Sequence, residues 1–241
     1  MKKSKNNITI VLAMIYVFLS GGCSDNQQIG TQQQCLSQDS IKYYAHPDRW
    51  KNDIQKFIES DKQNPPPKNA VLFVGSSSIR MWDTKKWFPE FTTINRGFGG
   101  SYVIDSFYYA DKIIIPYEPK TIVFYAGDND TVDTKSSEMI LADLQSLVFK
   151  VRQTLPKTRF IVISIKPSVS RWNYWPQMVK TNKLIENFCK HQKNIYFVDA
   201  SKVMLDESGY PRKDILKDDG LHMNENGYQL WTSLVKPLIK Q

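Results

Sequence analysis

Three consecutive serines, Ser76, Ser77 and Ser78, follow an apolar run, and an Asp-x-x-His pair, Asp219 and His222, lies far downstream in KDDGLHMNENGY. A serine hydroxyl becomes a nucleophile only when a base takes its proton and donors receive the charge that develops on the attacked carbonyl. The chain has three histidines, so few bases are available. His46 lies beside Pro47, and His191 falls among lysines at a predicted helix end, where a cation suits the helix dipole. His222 differs, because Asp219 can hold its tautomer and steady its imidazolium. Each feature also has a plain explanation. Three serines after a strand make a polar turn, and Asp219 and His222 can cap a last helix, although Asn224 or Glu225 would do that equally well. The nucleophile elbow Gly-x-Ser-x-Gly is not satisfied by GSSSI, which argues against an α/β-hydrolase. NRGFGG (residues 95–100) lacks both the dinucleotide spacing and the P-loop lysine. GDND (127–130) offers too few oxygen ligands for a calcium loop.

The elements that must position these groups alternate. A helix is expected from Pro47 to Asp61, with Ile54, Phe57 and Ile58 on one face, ended by Pro65, Pro66 and Pro67. Buried-strand runs are expected at Ala70–Val74, Thr92–Asn95, Thr121–Ala126, Phe160–Ile165 and Ile195–Val198. Helical spacing marks Ser136–Leu155, a helix opened by Pro176 and a last helix over Tyr228–Ile239 that Pro237 would shorten. Strands alternating with helices predict a parallel sheet covered on both faces, with ligands outside the carboxyl ends of the strands. GSS, NRGFGG and GDND each fall just after a strand. Trp172 and Trp175, after the fourth strand, are candidates for contact with an acyl group or a sugar. Arg80 and Arg171 read as surface arginines that could also meet an anionic substrate.

The ends and the composition add context. Lys2, Lys3 and Lys5, the apolar run Ile8–Leu19, and then Gly21, Gly22 and Cys23 read as a signal peptide over residues 1–22. The cysteine after small residues resembles the bacterial lipoprotein signal, although Ser20 stands where leucine is usual. Cys23 would carry the lipid, and Ser24 behind it resembles an outer-membrane address. Residues 23–40, rich in glutamine, read as a flexible tether to a domain over 41–241. An exported protein in the periplasm or anchored to the outer membrane is therefore expected. With 41% hydrophobic residues in 241, the chain can bury a real core. The net charge of +8 is scattered and has no nucleic-acid motif behind it. Cys35 and Cys189 read as free thiols, and no spacing suggests a metal.

Four motifs together resemble the SGNH hydrolases, the GDSL lipase/acylhydrolase family, and especially its branch similar to platelet-activating-factor acetylhydrolase. FVGSSSI looks like the first block, NRGFGGS the second, GDND the third and DGLH the last, in the family's order, across Ala70 to Trp231. The resemblance implies a three-layer α/β/α sandwich, flavodoxin-like, with a five-stranded parallel sheet. It implies Ser77 as nucleophile, His222 as base and Asp219 as its orienter. The oxyanion donors would be the Ser77 and Gly100 N–H groups and the Asn129 amide. Ser76 replaces the family's usual Asp. No cofactor or metal is implied. The substrate would be a small-molecule, lipid or glycan ester, short in its acyl group because no apolar lid segment is visible. The competing expectation is a non-catalytic envelope lipoprotein that binds glycan or lipid in an SGNH shell.

Overall fold

A strand whose residues are apolar throughout must be covered on both faces and paired on both edges. Val71–Gly75 (β1) is such a strand, and every one of its residues is buried. In the computed structural model, which describes residues 41, 42 and 44–240, β1 lies near the middle of a five-stranded sheet. The expected leader (1–22), the lipidation site Cys23, the tether (23–40) and Cys35 lie outside the described residues. The other strands are Thr93–Gly97 (β2), Thr121–Tyr125 (β3), Arg159–Ile163 (β4) and Ile195–Val198 (β5). The order is β2-β1-β3-β4-β5 and every pairing is parallel. The expected α/β/α sandwich with a five-stranded parallel sheet is the observed fold.

Side-chain alternation splits the strands between two cores. Leu72, Val74, Ile122, Phe124, Phe160 and Val162 face helices Pro47–Gln63 (α1), Ser137–Thr154 and Trp175–Lys190. Val71, Phe73, Val123, Tyr125, Ile161 and Ile163 face Trp82, Phe88 and Trp231. Trp231 belongs to the last helix, Glu225–Lys240. Pro237 does not shorten that helix. A proline forgoes one backbone bond, but Val235 and Ile239 on either side of it are buried against the sheet and hold the last turn in place. β4 ends two residues earlier than expected. The Asn182 side chain takes both backbone groups of Ile165, accepting from its N–H at 2.7 Å and donating to its carbonyl at 2.8 Å. That amide pair replaces a neighbouring strand and releases the chain toward the rim.

Short helices escaped the sequence pattern because one turn carries too little periodicity. The chief of these is Val103–Tyr108 after β2. Its start is held by Asp105, whose carboxylate accepts from the Tyr102 N–H at 2.8 Å. Beneath it Lys135 is fully buried with Asp130, at 3.3 Å, and Asp143. Three buried carboxylates around one ammonium cannot all ionise freely. Burial, and after it the charge of Asp130, pushes the Asp105 carboxyl up to about 7.

A carboxyl raised on folding contributes stability that is full below the unfolded carboxylate range and lost as pH rises to about 7. Urea unfolding at pH 4.5 and 7.5 should therefore show the wild type losing on the order of 3 kcal/mol relative to Asp105→Asn, which keeps an acceptor for the Tyr102 N–H. Equal slopes in the two proteins would remove Asp105 as the cause.

Candidate active site

Gly75 ends β1 at φ +135°, and a Cβ there would lie 1.9 Å from the Tyr125 carbonyl oxygen. Only glycine fits that approach. The Ser76 N–H then bonds the Tyr125 carbonyl at 3.0 Å, and the Ser76 carbonyl accepts from Ile79 to open the one-turn helix Ser77–Arg80. Ser77, its first residue, is half-buried, and its N–H has no acceptor within the helix. The neighbouring loop is tied to the same point, because the Phe98 N–H bonds the Gly75 carbonyl at 2.9 Å.

Across the rim His222 places Nε2 at 3.1 Å from Ser77 Oγ and Nδ1 at 2.6 Å from Asp219 Oδ2. The other Asp219 oxygen accepts from the backbone N–H groups of His222 at 2.8 Å and Leu221 at 2.9 Å. The hydrogen bond from the His222 ring, reinforced by these two N–H groups, holds the Asp219 carboxyl well below the usual carboxylate range. An ionised Asp219 accepts a hydrogen bond from Nδ1–H, which leaves the lone pair of Nε2 facing the serine hydroxyl. The last helix is capped independently by Asn224, whose Oδ1 accepts from Gly227. Capping therefore does not account for the Asp219–His222 pair. His191 is exposed at a helix end, bonded to the Asn187 carbonyl, away from this relay.

Asn129 lies in the first turn of Asp128–Val132, after β3. Its amide donates to Ser76 Oγ at 2.8 Å and to the Ser101 carbonyl at 3.0 Å, so one side chain joins the first two loops. Its own carbonyl accepts from Arg171 at 2.8 Å, and Arg171 also pairs with Asp128 at 3.0 Å. Gly100 follows β2 beside Ser101 at φ +77°. All five expected polar positions thus gather at the carboxyl edge of β2, β1 and β3 or on the loop before the last helix. Trp172 and Trp175 stack on one another, centroids 6.0 Å apart, with Tyr210 edge-on to Trp172 at 5.0 Å. They sit beside Arg171, half-buried, and are packed first of all against each other.

Three contributors were not read from the sequence in these roles. Arg171, expected at the surface, is an internal clamp on Asp128 and Asn129. Ser76, which stands where the family usually has Asp, accepts from the Asn129 amide through its Oγ. Lys166 is fully buried and donates to the Leu221 carbonyl at 2.6 Å, inside the loop that carries Asp219 and His222. Burial pushes its ammonium down to about 8, against the pull of the Asp128 charge. The only sequence signal for Lys166 and Arg171 was their place just beyond a strand's carboxyl end.

A parallel α/β sandwich with a Ser–His–Asp relay at the strands' carboxyl edge has the architecture of a serine hydrolase. The sequence profile of the GDSL-like lipase/acylhydrolase family matches residues 82–230, more than half of the chain. The chain belongs to that family of ester-hydrolysing enzymes. No curated protein matches it. The fold is shared with a Streptococcus pneumonia protein described in terms of platelet activating factor, at 20% identity and TM-score 0.70, covering 90% of this chain and 100% of that one. A GDSL-like lipase from Bacteroides thetaiotaomicron is 20% identical with TM-score 0.67, covering 78% of this chain and 97% of its own. A carbohydrate esterase of family 3 from Talaromyces cellulolyticus is 18% identical with TM-score 0.58, covering 71% and 96%.

Lys166→Met removes the partner of the Leu221 carbonyl. The loop should loosen, with a stability loss of about 1–2 kcal/mol in urea and a fall in kcat for ester turnover that leaves KM nearly unchanged. A variant as active and as stable as wild type would show that the loop does not need the buried ammonium.

Proposed function

We propose that the chain hydrolyses carboxylic esters through Ser77, His222 and Asp219, acting on a short-acyl lipid or an O-acetylated glycan. The observation that carries this reading is the continuous relay from Ser77 Oγ through both ring nitrogens of His222 to Asp219. His222 takes the hydroxyl proton as Ser77 attacks the carbonyl. The Ser77 and Gly100 N–H groups and the Asn129 amide receive the charge on the oxygen. The Asn129 amide donates to Ser76 Oγ and the Ser101 carbonyl, so in this mechanism it exchanges the Ser76 Oγ bond for the substrate oxygen while the Ser101 carbonyl keeps it in place. Collapse of the tetrahedral species expels the alcohol, protonated by His222. Water activated by the same ring then frees the acid. The likeness of fold to both a lipase and a carbohydrate esterase supports an ester of this kind. The Cys23 signal, with the tether behind it, supports a place at the cell envelope, where Cys23 would carry the lipid anchor. Trp172 and Trp175, beside Arg171, are the proposed flank for the acyl or sugar portion.

The test is hydrolysis of p-nitrophenyl acetate, butyrate, octanoate and palmitate by the purified full-length chain. Ser77→Ala should lower kcat by on the order of 10⁴-fold or more, and Asn129→Ala by about 100- to 1000-fold with little change in KM. Ser76→Ala should cost only about tenfold, the loss of one hydrogen bond that holds Asn129. A Ser77→Ala protein that keeps its activity would remove the nucleophile assignment. Stoichiometric binding without turnover in the folded wild type would favour the binding protein.

A further inference from the structure

The chain contains seven arginines, all among the described residues. Five have partners. Arg96 pairs with Asp61, Arg171 with Asp128 and Arg212 with Asp214, while Arg152 and Arg159 donate to the carbonyls of Lys193 and Leu238. Arg49 and Arg80 make no side-chain hydrogen bond or ion pair among the described residues, and both are exposed. These two converge on one place. Arg80 ends the helix that begins with Ser77, and its guanidinium lies flat on Gly99. A Cβ on that glycine would sit 2.9 Å from Arg80 Cζ and 3.0 Å from Nε and Nη2. Arg49 comes from the first turns of α1 and lies over the next residue. A Cβ on Gly100 would sit 3.4 Å from Arg49 Nη2 and 3.3 Å from the Trp50 ring. Trp50 supports the Arg49 guanidinium, 4.5 Å from its ring centroid. Consecutive Cα atoms are 3.8 Å apart, so the two guanidinium groups lie against neighbouring residues of one loop, no more than about 13 Å from each other.

We propose that the rim above Gly99 and Gly100 is an anion subsite, in which Arg49 and Arg80 grip a carboxylate or phosphate that the substrate carries near its scissile ester. This rests on the hydrolase reading above, since Gly100 would donate to the oxyanion and so set where the ester lies. Two planar forks with no hydrogen-bond partner among the described residues are suited to bidentate capture of a doubly oxygenated anion. The absence of a side chain on Gly99 and Gly100 is what lets both forks come down to the level of the backbone. Asp48, exposed beside Arg49 in the first turn of α1, is the nearest acid in sequence and pairs with neither arginine.

The experiment compares matched esters with the full-length chain: 1-O-acetylglycerol against its 3-phosphate, and O-acetylglucose against O-acetylglucuronate. Wild type should prefer the anionic member of at least one pair by about tenfold or more in kcat/KM, and salt should erode the preference. The Arg49→Ala/Arg80→Ala double variant should bring the ratio close to one. The corresponding lysine variants should restore part of it, since they keep the charge without the fork. A larger preference for the phosphate marks a lipid headgroup as the source, and one for the uronate an acidic glycan. A ratio near one in wild type, or a ratio the double variant leaves unchanged, overturns the proposal. Calorimetric titration of Ser77→Ala with glycerol 3-phosphate and glucuronate separates the two readings. Binding lost in the Arg49/Arg80 background without any wild-type turnover would sink the hydrolase and keep the subsite. Equal turnover of both members of each pair would keep the hydrolase and sink the subsite.

Discussion

The site depends on one close approach. The backbone at Gly75 passes so near the Tyr125 carbonyl that no side chain can stand between them. That contact, with the Ser76 N–H bonded to the same oxygen, fixes where β1 stops relative to β3 and points the following turn outward. Every other polar contact is measured from there. The NRGFGG loop is pinned to the Gly75 carbonyl through Phe98, and Asn129 reaches from the third loop to Ser76 and Ser101. A parallel sheet brings three loops to one edge, and the glycine fixes their height.

The loop with Asp219 and His222 is held differently, because it is not the end of a strand. It hangs between backbone bonds from Lys217 to the His222 carbonyl and from Ser170 to the Gly220 carbonyl, with Lys166 on the Leu221 carbonyl. The segment after β4 thus serves both halves of the site. Lys166 and Ser170 steady the histidine loop, and Arg171 steadies Asn129. A stretch that reads as a connection is in this fold the spacer between the His222 loop and Asn129.

The sheet was legible because five short apolar runs separated by helical patterns admit few arrangements, and those runs are β1 to β5 within two residues at most ends. The four motif blocks were legible because each follows a strand or precedes the last helix, and their residues do meet. What escaped were interactions whose sequence trace is a single residue. Lys166 and Arg171 look like ordinary surface cations until the fold buries one and pairs the other. The Asp105–Asp130–Lys135–Asp143 cluster draws on four positions with no shared period. The short helices after β2 are set by one carboxylate and by packing, and neither leaves a repeat. Trp172 and Trp175 were singled out as aromatics near a rim, and the structure adds that their first partners are each other and Tyr210.

The Asp219 side chain is 47% exposed and that of His222 22%, so the relay stands at the edge of the solvent rather than at the bottom of a shaft. On the mechanism proposed above, an acyl group held on Ser77 would wait beside a histidine that solvent reaches. Whatever hydroxyl compound is most concentrated there competes with water for the acyl group, and the partition between hydrolysis and transfer to another alcohol is governed by the surroundings as much as by the protein. If the proposed envelope setting holds, a surface crowded with hydroxyls would favour moving an ester from place to place over simply cleaving it.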